Sequence, residues 1–200
     1  MLGFAFYDGG PDGQHAATRL TEQLKAAGVP LRRFKTGTPA RVHRRSIAFD
    51  KLTCQPGDPD DELLPFSFLT RTPMHNKVEC YIAYTNPETH RIIRENIGRS
   101  PLYGGLIEGV GPRYCPSIED KVMRFAEKKR HQFFLEPMGE NTREMYLSGL
   151  SSSLPEEVQT AFYHTIGGLE QVELMRTAYA IEYDCIDPTV LRSTLEFKEL

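Results

Sequence analysis

Residues 78–98, VECYIAYTNPETHRIIRENIG, place a strand, a turn and a helix end to end. Val78 to Tyr84 is short and mostly apolar, as strands are. Asn86 can cap the helix, and Pro87 suits a first helical position because its missing N–H is one a helix leaves unbonded anyway. Gly98 offers a stop. A strand feeding a helix through so tight a turn makes the chain neither all-α nor all-β.

The alternation continues in both directions. Upstream, His15 to Ala27 reads as a helix with Ala16, Leu20, Leu24 and Ala27 on one face and Gly28 as its stop, and Val29 to Phe34 reads as extended. KTGTPARV, residues 35–42, is a turn-rich loop, and Asp50 to Lys77 is a long polar connection that is compactly apolar only from Leu63 to Leu69. Connections of that length tend to carry function. Downstream, Ser117 to Ala126 is helical in pattern, with Ile118, Val122, Phe125 and Ala126 as its stripe. His131 to Glu136 and Glu144 to Leu147 read as strands. In SLPEEV, Ser153 and Glu156 match a capping box, and Val158, Phe162 and Ile166 share the face of the helix it opens. Gln171 to Arg176 and Ala178 to Cys185 are further strands. The order predicts an α/β or α+β fold.

With 200 residues, 40% hydrophobic and 26% charged, the chain has the composition of a globular protein with one sizeable core. Its apolar runs are only a few residues long, so no membrane span is expected, and neither is a secretory signal. Cys54, Cys80, Cys115 and Cys185 are widely spaced, without a CxxC pair, and the histidines lack zinc-motif spacing. Reduced thiols and a cytoplasmic address follow as expectations. Charge is uneven. Gln23 to Phe49 has no acidic residue but contains Lys25, Arg32, Arg33, Lys35, Arg41, Arg44 and Arg45, so +7 lies there and the net of −3 leaves −10 elsewhere. Such a segment attracts phosphate, or is simply a solvated basic face.

One stretch has the residues for chemistry. In GPRYCPSIEDKVMRF, residues 111–125, Cys115 stands just before a helix start that Ser117 caps, with Asp120 three residues on and Arg113 nearby. A helix N-terminus and a guanidinium both favour a thiolate, while Glu119 and Asp120 partly oppose it. The alternatives are an inert buried cysteine, or an anion held by free N–H groups at the helix start. The pairs Glu88 with His90 and His131 with Glu136 also join an acid to a base, although caps and solvated side chains account for them. No GxGxxG turn is present, and the lysine of KTGTPAR precedes its glycine, so it is not a phosphate-binding P-loop.

RFKTGTPAR, CYIAYTNPETHRIIREN, RSPLYGGLIEGVGPRYCPSIEDKVMRFAEKKRHQFFLEP, GLSSSLPEEVQ and AYAIEYDCIDPTVLRSTLE resemble successive blocks of the GidA/MnmG family, in order and over nearly the whole chain. The family comprises flavin-dependent tRNA uridine 5-carboxymethylaminomethyl modification enzymes. The resemblance implies an α/β fold, an incomplete Rossmann-like FAD-binding domain with an inserted α/β module, and a central fragment of a longer protein. Residues 1–40 would belong to the FAD-binding domain, 41–110 to the inserted module, and 111–200 to the returning FAD-binding domain.

The resemblance also implies FAD and NAD(P)H as cofactors and the wobble uridine U34 of tRNA as substrate. It implies an MnmE-like GTPase as partner and a homodimer for the full-length protein. The nicotinamide nucleotide would lie along Gly111, Pro112, Arg113, Tyr114, Cys115, Pro116, Ser117, Ile118, Glu119, Asp120, Lys121, Val122, Met123, Arg124 and Phe125. Cys115 would be catalytic, adding to C6 of the pyrimidine, and its companion cysteine would lie upstream of Met1. Lys35, Arg41, Arg44 and Arg45 are the residues expected to meet tRNA phosphate. Pro11 and Gln14 stand where the family has an arginine and an acidic residue near the flavin. With no flavin turn of its own, the chain could instead be a catalytically silent module that binds tRNA or a partner.

Overall fold

The computed structural model describes residues 1–111 and 116–199. In chain order its elements are α1 (Thr18–Ala26), β1 (Leu31–Thr38), β2 (Arg41–His43), β3 (Thr53–Gln55), β4 (Cys80–Tyr84), α2 (Pro87–Glu95), α3 (Ile118–Arg124), β5 (Gln132–Pro137), β6 (Glu144–Ser148), α4 (Glu156–Tyr163), β7 (Leu174–Arg176) and β8 (Tyr179–Ile186). The expected mixed α/β class is the one that forms. β1 and β8 make a two-stranded ribbon, in register from Leu31 opposite Ile186 to Thr38 opposite Tyr179. The other strands form a six-stranded sheet in the order β3-β4-β5-β6-β2-β7. Every ladder among the described residues is antiparallel, and the one parallel contact is a single bridge between Phe34 and Val110.

Period-two patterning builds the sheet. Phe133 and Leu135 on β5, and Met145 and Leu147 on β6, all turn inward, with Leu135 directly opposite Leu147. Burying each of these side chains contributes about 1.5–3 kcal/mol. α2 and α4 pack against each other and α3 packs against α2, so Ile93, Ile118, Val122, Val158, Phe162 and Ile166 complete one core with the sheet. α2 starts as its sequence dictates: Asn86 Oδ1 accepts the N–H groups of Glu88 and Thr89 at 3.0 Å, and Thr89 Oγ1 accepts the Asn86 N–H at 3.2 Å.

Several expectations change. KTGTPARV is strand rather than loop: β1 runs on through Lys35–Thr38 and β2 begins at Arg41, leaving only Pro39 and Ala40 between them, because the chain pairs with β8 on one side and with β6 and β7 on the other. α1 forms, but none of its residues is buried and Leu20 lies largely in solvent; two leucines make too narrow a stripe to cover a core, and Thr21 instead ties the helix to Asp184 at 2.8 Å. α2 ends at Glu95, and Gly98 falls inside a 3₁₀ turn, Ile97–Arg99. The predicted box at Ser153 and Glu156 does not form: Pro155 occupies the N-cap position and offers no side chain to the helix. Ser153 turns the other way, toward a buried carboxylate that binds it more strongly than a helix end would.

Between β3 and β4 the chain makes an excursion with a fastened neck. His75 Nδ1 lies 2.6 Å from Asp60, and Asn76 Nδ2 donates to the Asp58 carbonyl at 2.7 Å. Beyond the neck, Leu64, Phe66, Phe68 and Leu69 stand in solvent, with Phe66 and Phe68 108% and 96% exposed. Among the described residues no helix is long and apolar enough to cross a membrane.

Candidate functional site

The stretch around the candidate cysteine is only partly visible, because Pro112, Arg113, Tyr114 and Cys115 lie outside the described residues. The helix after it starts as expected. Ser117 Oγ accepts the Asp120 N–H at 3.4 Å, and the Asp120 carboxylate takes the Tyr103 hydroxyl at 3.2 Å with Arg124 Nε at 3.6 Å. Burial, and then the Asp120 charge, push the Tyr103 phenol up to about 12.

The side chains of α3 part into two sets. Ile118, Glu119, Asp120 and Val122 are buried, whereas Met123, Arg124 and Phe125 face solvent, as does Gly111. Lys121 Nζ donates to the Gly149 carbonyl at 2.8 Å, and the Ile118 N–H donates to the Ser151 carbonyl at 2.8 Å. α3 is thereby fastened to residues 149–153. Glu119 makes the fastening tighter: its Oε1 accepts from the Ser153 N–H at 2.9 Å, from Ser152 Oγ at 3.1 Å, and from Ser100 and Ser153 Oγ at 3.5 Å. Its Oε2 has no partner among the described residues. Glu119 therefore holds protein to protein.

The basic candidates separate as well. Lys35, on β1, is buried. Arg41, on β2, is half-buried, with Nη1 3.9 Å from Glu144. Arg44 and Arg45, in the turn after β2, are exposed; the Arg44 guanidinium stands 5.6 Å from the Phe49 ring centre, and the Arg45 N–H donates to His43 Nδ1 at 3.1 Å.

The candidate acid–base pairs do not assemble. Glu88 is taken by Arg91, while His90 Nε2 lies 2.7 Å from Thr85 Oγ1 and its ring packs 5.2 Å from that of His131. The thiols of Cys54 and Cys80 are pushed up, by desolvation first and then by a hydrogen bond with Glu79 at Cys54 and by the Glu136 charge at Cys80, which is opposite to activation. Among the described residues no cluster of three or more His, Cys, Asp or Glu could hold a metal ion.

The family model described as "Glucose inhibited division protein A" matches residues 1–200. The chain belongs to this family. Relatives in the glucose inhibited division protein A family include a protein of Caldicellulosiruptor saccharolyticus named tRNA uridine 5-carboxymethylaminomethyl modification enzyme MnmG, 60% identical over all of this chain and 32% of its own length. One of the same name from Clostridium botulinum strain Hall is 56% identical over the same shares. The structure of Aquifex aeolicus GidA in its form I crystal superposes with a TM-score of 0.87 at 50% identity, covering 100% of this chain and 34% of that one. This chain spans about a third of the length of these relatives.

In this member of the family the strand register adds two cations that sequence order hides. Arg176 on β7 lies opposite Arg41, which also faces Tyr146 across β6, and the Arg44 N–H donates to the Arg143 carbonyl at 2.8 Å. Glu144 stands 3.9 Å from both Arg41 and Arg176. Like charges placed across a ladder repel, and the Glu144 carboxylate lies between the two. Nothing in residues 23–49 could disclose Arg143 or Arg176, because only the fold of β6 and β7 onto β2 brings them there.

Proposed function

We propose that this chain is the nicotinamide- and thiol-bearing part of an enzyme forming 5-carboxymethylaminomethyluridine at the wobble position, U34, of tRNA. The observation that carries the reading is 53–60% identity, along all of the chain, to relatives named for that modification. In this reading NAD(P)H lies along the outward side of residues 111–125. The Cys115 thiolate adds to C6 of the uracil ring, and the electron pair displaced from the C5–C6 double bond makes C5 the nucleophile. Arg41, Arg44 and Arg45, with Arg143 and Arg176, meet tRNA phosphate, whereas the enclosed Lys35 does not. A GTPase resembling MnmE, a homodimer and a cytoplasmic address complete the proposal.

The described residues do not fit FAD, which the family uses to carry electrons from NAD(P)H. There is no GxGxxG turn in these residues, and the side chains described between residues 8 and 18, where flavin contact is implied, are exposed or half-buried.

The test is tRNA affinity as a function of salt. A double variant, Arg44→Ala with Arg45→Ala, should flatten the log–log slope by about 2 relative to the unmodified chain; an equal slope removes these arginines from the interface. The alternative reading is a catalytically silent tRNA-binding module. Protein that purifies without visible flavin absorbance, does not bind NADH and still binds tRNA with that salt dependence would support the module.

A further inference from the structure

The turn that joins α3 to β5 carries three consecutive cations, Lys128, Lys129 and Arg130, all exposed. Elsewhere on the surface, cations meet carboxylates: Arg32 lies 2.8 Å from Asp187, Lys51 2.8 Å from Glu170 and Lys77 3.1 Å from Glu140. Among the described residues Lys128, Lys129 and Arg130 make no ion pair, although the chain as a whole is acidic, with a net charge of −3.

Two of the three lie over aromatic rings instead. The Arg130 guanidinium stands 4.3 Å from the Tyr84 ring centre, and Lys128 Nζ stands 5.1 Å from that of Phe125. Both rings are themselves open to solvent, 37% exposed at Tyr84 and 44% at Phe125. The sheet holds Tyr84 in place: it pairs with Gln132 across β4 and β5, and its hydroxyl donates to Gln132 Oε1 at 3.4 Å. Arg94, on α2, donates to the Ala126 carbonyl at 3.4 Å and brings a fourth exposed cation to the edge of the turn. Like charges side by side repel, and a cation on a ring in water is too weak a contact to hold such a run together for stability alone.

Cations interleaved with open rings suit single-stranded nucleic acid. The cations take phosphate, while unpaired bases stack on aromatic faces and on guanidinium planes. A duplex keeps its base faces stacked inside and would use only the charges. The turn is also far from the basic residues already described. β5 runs from Gln132, beside the turn, to Pro137, which faces Met145, and Met145 faces Val42 on β2. Arg44 and Arg45 therefore lie toward the other end of the sheet, about 17 Å along β5.

We propose that the α3–β5 turn, together with Tyr84, is a docking surface for an unpaired stretch of RNA, with phosphates on Lys128, Lys129 and Arg130 and a base against the Tyr84–Arg130 stack. The assignment rests on the tRNA reading of this chain and adds a second contact at the opposite end of the sheet from the first.

The experiment follows binding of tRNA, a single-stranded oligoribonucleotide, the same strand in a duplex, and polyglutamate over a series of salt concentrations. Replacing Lys128, Lys129 and Arg130 together by alanine should flatten the log–log slope for the single strand by about 2. Tyr84→Leu should weaken the single strand about tenfold with its slope unchanged, and leave the duplex as it was. Thermal unfolding checks the fold of each variant; if the triple variant melts early, Lys129→Ala, at a side chain that stands over neither ring, should still flatten the slope by about 0.7. An unchanged slope overturns the proposal, as does a Tyr84→Leu variant that binds the single strand normally or loses the duplex equally. Polyglutamate binding lost in the triple variant, with RNA binding intact, would make the turn a site for an acidic protein and overturns it too. If the unmodified chain binds no RNA, the tRNA reading falls as well. If tRNA binding depends on Arg44 and Arg45 while the turn variants bind normally, this surface alone falls.

Discussion

Glu119 gathers four donors on one carboxylate oxygen, all from the turn at Ser100 and the loop at Ser152 and Ser153. Removing it strands an amide and hydroxyls in a dry interior. Glu119→Ala should therefore destabilise the fold by about 3 kcal/mol, and Glu119→Gln, which keeps an acceptor for those donors, by about 1 kcal/mol. Urea unfolding followed by circular dichroism measures both, and two variants as stable as the unmodified chain would show that the clamp has no weight. In the sequence, Ser153 reads as a helix cap because its spacing to Glu156 is right. The competing acceptor lies 34 residues upstream, where local pattern cannot register it. Lys35 escapes for a related reason: a run of basic residues says nothing about which of them a strand turns inward.

β4, α2 and β5 meet at a pair of histidines. His90 and His131 are buried with their rings stacked at a tilt, and Thr85 bridges them, lying 2.7 Å from His90 Nε2 and accepting the His131 N–H at 2.8 Å. Desolvation first, then His131 and Arg94, lower the His90 pKa to about 4; desolvation, Lys121 and Lys128 lower that of His131, against a smaller opposing pull from Glu127. The folded state thus binds fewer protons than the unfolded one between about pH 4 and 6.5. Stability should be complete above pH 6.5 and fall as pH drops toward 4, by about 3 kcal/mol if the His90 shift is fully expressed. A pH series of denaturation midpoints checks this, and His90→Gln should flatten it. A midpoint that rises on acidification would contradict the neutral pair. The elements around this pair are legible in the sequence, since capping chemistry and period-two burial are local. β2 and β3, three residues each, are harder to read because so short a strand carries almost no pattern.

For the molecule as a whole, the sequence discloses the mixed class and most element positions but not the pairing. Strand order depends on which β-strands meet, and β2 reaches its place between β6 and β7 across about a hundred residues of chain. The same interleaving gives the apolar excursion between β3 and β4 an unusual property. Chymotrypsin should cut first beyond its fastened neck, after Phe66 or Phe68, where the backbone is held by little and the aromatic side chains are offered to a protease. The amino-terminal piece would then still supply β1 to β8, β2 between β6 and β7, and β3 to the edge beside β4. Denaturing electrophoresis should show two bands, and gel filtration one peak at the volume of the uncut chain. Separate peaks would mean that covalent continuity holds the sheets together. One peak would make the protein a pair of complementing polypeptides, able to be expressed as halves and reunited.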